Sequence, residues 1–100
     1  MSNDVENLRK LWKEHLSSPF PDESKGKDIN GIELVLLEAD IAGCLSGFLG
    51  SQGKMEQPKI EILKKCSHDL NSIIDLINTR EKSYFIELGK ITLATLRLLN

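Results

Sequence analysis

Apolar residues recur at helical spacing in four segments of the chain, and nowhere do apolar and polar positions alternate for long enough to argue a strand. Val5, Leu8, Leu11, Trp12 and Leu16 form one stripe. Leu63, Cys66, Leu70, Ile73, Ile74 and Ile77 form a second, and Tyr84, Phe85, Leu88, Ile91, Leu96 and Leu99 a third. The run from Ile32 to Leu49 differs, being apolar nearly all round. A helix of that kind is expected at the centre of a bundle, flanked on several sides.

Start and stop signals set the boundaries. Asn-x-x-Glu precedes three of the four segments, as Asn3 with Glu6, Asn30 with Glu33 and Asn78 with Glu81. Each reads as a capped helix start: the Asn oxygen accepts from first-turn amides and the Glu reaches back to the cap amide. Ile29 and Leu34 add a hydrophobic staple to the second, and Pro58 suits the first helical position of the remaining segment. The stretch 17–27, with Pro19, Pro21 and Gly26, and the stretch 50–57, with Gly53, separate the helices, while Asn78 and Thr79 mark a tight joint. The pattern predicts one all-α domain over 1–100, a compact four-helix bundle with helices at about 3–16, 31–49, 58–77 and 79–99 and the second helix central. Phe20, between two prolines, reads as a plug for one end.

Composition narrows the function. With 40% hydrophobic and 28% charged residues the chain is globular rather than disordered. A net charge of −2 provides no field for a phosphate backbone, so nucleic acid is not an expected partner. Lysines 25, 27, 54, 59, 64 and 65 still make the middle locally basic, a weaker surface for an acidic partner. The opening MSNDVENLRK has no apolar leader, and Cys44 and Cys66 lie far apart, which gives the expectation of a cytoplasmic protein with reduced thiols. Glu38 and Asp40 interrupt the most apolar run at about 2.5 to 3.5 kcal/mol each, so a membrane span is not expected.

The run KCSHDL places Cys66, Ser67, His68 and Asp69 side by side like parts of a nucleophilic triad. On a helix, neighbours diverge by about 100° and cannot converge on one atom. Cys66 falls on the apolar stripe and His68 on the polar side, so no catalytic residue is assigned. Lys25-Gly26-Lys27 lacks the glycine spacing of a phosphate loop. The segment from Gly26 to Leu37 has the wrong residues at the first and last positions of a calcium loop. Neither His15 nor His68 follows a Glu by three residues, as a bundle dimetal site requires. No metal or other cofactor is expected.

Three features remain. Glu38 falls among Leu34, Ile41, Leu45, Phe48 and Leu49, and a buried carboxylate needs a partner. Trp12, Tyr84, His15, Arg9 and Arg80 are candidates for that role. Ala39, Gly43, Ser46 and Gly47 form a strip of small side chains, which implies close approach of another helix, within the chain or from a second copy. On the last helix, Ile86 and Leu93, with Gly89 and Arg97, form a possible interface. The expectation is therefore a small, non-enzymatic helical protein acting through protein–protein contact, possible as a homodimer. Adaptors, immunity proteins and antitoxins share that description at the level of fold class only. The competing expectation is a cation or small-molecule binder, or an enzyme, built on Glu38 with Cys44, Cys66, His15 or Tyr84.

Overall fold

The computed structural model of the chain describes residues 2–99, with side chains from Asp4 onward. Four helices carry the fold: α1 (Ser2–Leu16), α2 (Leu34–Gly50), α3 (Gln57–Ile73) and α4 (Thr79–Leu99). α2 packs on α3, α3 on α4 and α4 on α1. The all-α four-helix bundle is thus as the periodicity predicts. A radius of gyration of 13.2 Å matches the value of about 13 Å for a compact chain of this length.

The core is built where the stripes meet. Leu34, Ile41, Leu45 and Phe48 of α2 meet Leu63, Leu70 and Ile73 of α3 and Phe85 and Leu88 of α4, with Leu8 and Trp12 of α1 closing it. Each such side chain contributes about 1.5 to 3 kcal/mol by leaving water. Gly89 serves the contact between α3 and α4, because a Cβ there would stand 3.3 Å from Leu70 Cδ2. Thr92 and Thr95 are also buried, their hydroxyls donating to the carbonyls of Leu88 and Ile91 one turn back.

The structure corrects the start of the second helix. Asn30 and Gly31 do not cap it; they form the tip of a two-stranded antiparallel hairpin, β1 (Asp28–Ile29) and β2 (Ile32–Glu33). Their φ angles of 53° and 82° suit the Asn-Gly pair of a tight hairpin turn. Asp28 Oδ1 accepts from the Gly31 amide at 2.8 Å, and α2 begins only at Leu34. Its far end closes through Gly53, whose amide donates to Phe48 O at 2.8 Å across a left-handed Gln52. Helix α3 stops at Ile73 and tightens into a 3₁₀ turn, Ile74–Leu76, before the joint.

The cap of α4 is met only in part. Asn78 does cap α4, its Oδ1 accepting from the Arg80 amide at 3.0 Å, but Glu81 does not reach back to it. Glu81 is buried and accepts from Ser24 Oγ at 2.7 Å, which ties the 3₁₀ turn Asp22–Ser24 to α4. The side chain of Asn3 lies outside the described residues. In α1 the buried stripe is Leu8, Trp12 and His15; Leu11 and Leu16 face outward. Phe20 packs edge-on against Tyr84 and Phe85, with ring centres 5.7 and 5.8 Å away. Among the described residues no helix is long and apolar enough to cross a membrane.

α2 is not enclosed on all sides. Its inner half is buried, but Val35, Leu36, Ala39, Gly43, Ser46 and Gly47 face solvent. An apolar helix can sit at the edge of a monomer in this way when its second face has no neighbour within the chain.

Candidate functional site

Glu38 leaves the inner face of α2 toward α1 and α4. Its side chain is 23% exposed and accepts a hydrogen bond from the Tyr84 hydroxyl of α4. His15, on the last turn of α1, lies between two carboxylates. Its Nδ1 is 2.7 Å from Glu87 Oε1, and its Nε2 is 3.8 Å from Glu38 Oε2, too far for a hydrogen bond. His15 is only 1% exposed, and Nε2 has no hydrogen-bond partner. Trp12 stacks on the imidazole with ring centres 5.6 Å apart, and the tilted Tyr84 ring lies 4.4 Å away.

The electrostatics follow from these neighbours. Burial alone would lower the His15 pKa, but Glu38 and Glu87 outweigh it and hold it above the usual 6.5. Tyr84 is pushed well above an ordinary phenol, first by burial and then by its bond to Glu38. The partner that Glu38 needs is therefore Tyr84, with His15 behind it, whereas Arg9 donates to Leu49 O at 3.0 Å and Arg80 faces Glu23 at 3.8 Å. His15 itself was not placed in the core by the sequence pattern. Its position seven residues after Leu8 and three after Trp12 is the signal that would have put it there.

Of these four residues only Glu87 lines one of the main surface clefts, a groove of about 440 Å³ between α1 and α4 that also includes Leu11, Ile86 and Lys90. Cys44 and Cys66 are buried thiols, Cys66 pushed up to about 11 mainly by burial. His68 is exposed and does not share the cleft that Cys66 and Asp69 line, and Asp69 accepts from Lys65 at 2.8 Å. Among the described residues no group of His, Cys, Asp and Glu could hold a metal ion.

The small-residue strip is where the structure departs most from an intramolecular explanation. Ala39, Gly43, Ser46 and Gly47 are all exposed, and a Cβ at Gly43 would meet nothing within 4 Å. Only the Lys59 side chain of α3 comes near the strip, at Gly47. The strip widens into a face with Val35 and Leu36, 39% and 57% exposed, and Gly50; none of these carries a charge. Ile62, 47% exposed, extends it onto α3. Charges appear only at its edge, with Asp40 on α2 and Lys59 on α3, whose Nζ lies 3.5 Å from a Cβ built at Gly47.

On α4 the expected surface is only partly assembled. Ile86 and Leu93 are exposed and line a cleft of about 290 Å³ against α3. Gly89 turns inward to Leu70, and Arg97 belongs to a separate groove against α1. No family model, no curated protein and no solved structure matches the chain.

Proposed function

We propose that this chain is a non-enzymatic binding protein that works through helix-to-helix contact on the outer face of α2, with a second copy of itself as the occupant. The observation that carries the reading is the exposed face from Val35 to Gly50, whose one charge, Asp40, stands at its edge. An ordinary exposed helix face is charged and polar, and glycine within a helix costs about 1 kcal/mol relative to alanine. Gly43 gains no contact inside the chain to offset that cost. Small side chains let two helix backbones approach closely, which supplies the missing contact.

Self-complementarity favours a second copy over an unrelated helix. In an antiparallel pair related by a two-fold axis at Gly43, Ala39 faces the partner copy's position 47 and Leu36 its position 50. Asp40 then meets position 46, next to which Lys59 lies along Gly47. The same patch therefore offers an acid and a base at mutually matching heights. Such a dimer leaves the Ile86 and Leu93 cleft of α4 uncovered.

Sedimentation equilibrium separates the possibilities. The wild-type chain is expected to be a dimer, Gly43→Arg a folded monomer, and Leu93→Glu a dimer. A wild-type monomer, or a Gly43→Arg chain that associates as wild type does, contradicts the reading.

A further inference from the structure

A separate device lies on the opposite side of α2, in the contacts that hold α1 to the bundle. We propose that His15 is a proton-operated latch: as imidazolium it joins the last turn of α1 to Glu38 of α2 and Glu87 of α4, and on losing its proton it releases that turn.

The argument is one of donors and acceptors. Both ring nitrogens of His15 face carboxylate oxygens, at 2.7 Å for Nδ1 and 3.8 Å for Nε2. An ionised carboxylate only accepts, and Glu38 Oε2 already accepts the hydrogen bond that the Tyr84 hydroxyl donates. A neutral imidazole carries one N–H, so whichever tautomer forms turns a lone pair toward a carboxylate. Only the doubly protonated ring presents a donor to each. Its burial at 1% exposure removes water as an alternative partner for Nε2. The cation is matched by two acids, with Trp12 stacked on the ring and Tyr84 against it.

The groups that face His15 can be named element by element. α1 contributes Trp12, α2 Glu38, and α4 Tyr84 and Glu87; the charges acting on the ring are those of Glu38 and Glu87. Phe20, beyond the end of α1, rests on Tyr84, so the segment after the helix depends on the same anchor. Because the folded pKa lies above that of a free histidine, the latch is at full strength below about 6.5. It weakens as pH rises through the folded value. Between the two, each pH unit reduces the closed-to-open ratio about tenfold.

Nitrogen-15 NMR of the histidine rings, recorded alongside amide exchange corrected for its intrinsic pH dependence, tests this on the full chain. His15 is expected to show two protonated ring nitrogens at pH 6 and a titration midpoint above 6.5. Protection across 12–20 should fall between about pH 6.5 and that midpoint and level off above it, and Glu87→Gln should lower the midpoint. Glu87 is more than half exposed, so that variant is expected to fold even if His15→Gln does not. A neutral His15 ring at pH 6, a midpoint unmoved by Glu87→Gln, or protection that ignores the titration overturns the proposal. The wild-type dimer equilibrium is read separately, so failure here leaves the α2 reading standing.

Discussion

The two faces of α2 have nearly the same apolar character and opposite surroundings. On the inner face Leu34, Ile41, Leu45 and Phe48 are at most 1% exposed, and Glu38, the one charge at its margin, is met by Tyr84 and His15. On the outer face no charge appears from Val35 to Gly50 except Asp40 at the edge, yet the face is exposed, with only Lys59 of α3 close to it at Gly47. Hydrophobicity alone does not distinguish the buried face from the exposed one. What separates them is side-chain size: large residues fill the space between helices on the inner face, while Ala39, Gly43 and Gly47 leave small side chains on the outer one, the feature the proposed dimer uses.

The comparison is broken most strongly by removing a large side chain from the inner face. Phe48→Ala is expected to cost about 3 to 5 kcal/mol in denaturant unfolding. Leu36→Ala on the outer face should change monomer folding by less than about 0.5 kcal/mol while weakening association. Equal folding losses at both sites would mean that the outer face is packed.

A smaller effect is expected at the polar margin of the inner face. Tyr84→Phe removes the hydroxyl that Glu38 accepts from and should destabilise the fold by about 0.5 to 1.5 kcal/mol, a partly exposed carboxylate being able to take water instead. Thermal melts of the variant and wild type at one pH measure it. Gly43→Ala sharpens the contrast because two properties should move in opposite directions. Folding of the monomer should gain up to about 1 kcal/mol, and dimerisation should weaken as the backbones are held apart. A gain in both would remove the reason for glycine at that position.

The smallest effect is the edge charge pair. Asp40→Lys and Lys59→Glu are each expected to weaken association by about 0.2 to 1 kcal/mol, and the double exchange to restore it. Dissociation constants for the four chains form the cycle. Additive losses would mean that the two side chains do not meet across the dimer.

The helices were legible because period and breakers agreed for α1, α3 and α4, with Pro58 in the first turn of α3 and Asn78 capping α4. The hairpin was not, because Asn30 and Glu33 satisfy a cap motif while Asn30 and Gly31 satisfy a turn motif. The left-handed backbone that Gly31 permits decided between them, and α2 lost its first turn. The inner face of α2 followed from its period, and so did the need of Glu38 for a partner. His15 did not, because a histidine between Leu11 and Leu16 reads as polar, whereas the core takes Leu8, Trp12 and His15 and turns both leucines outward. The small strip was legible as a run of small residues on one helix face, but its exposure was not, since a sequence does not state which neighbours that face has within the chain.

Cysteine cross-linking at the proposed two-fold axis tests the central claim most directly. The native thiols are buried, so an engineered one reports alone. Gly43→Cys is expected to form a chain-to-chain disulfide rapidly under mild oxidation, and Leu93→Cys to remain largely monomeric in a denaturing gel. Cross-linking at position 93 with none at position 43 would contradict the account and move the interface to α4.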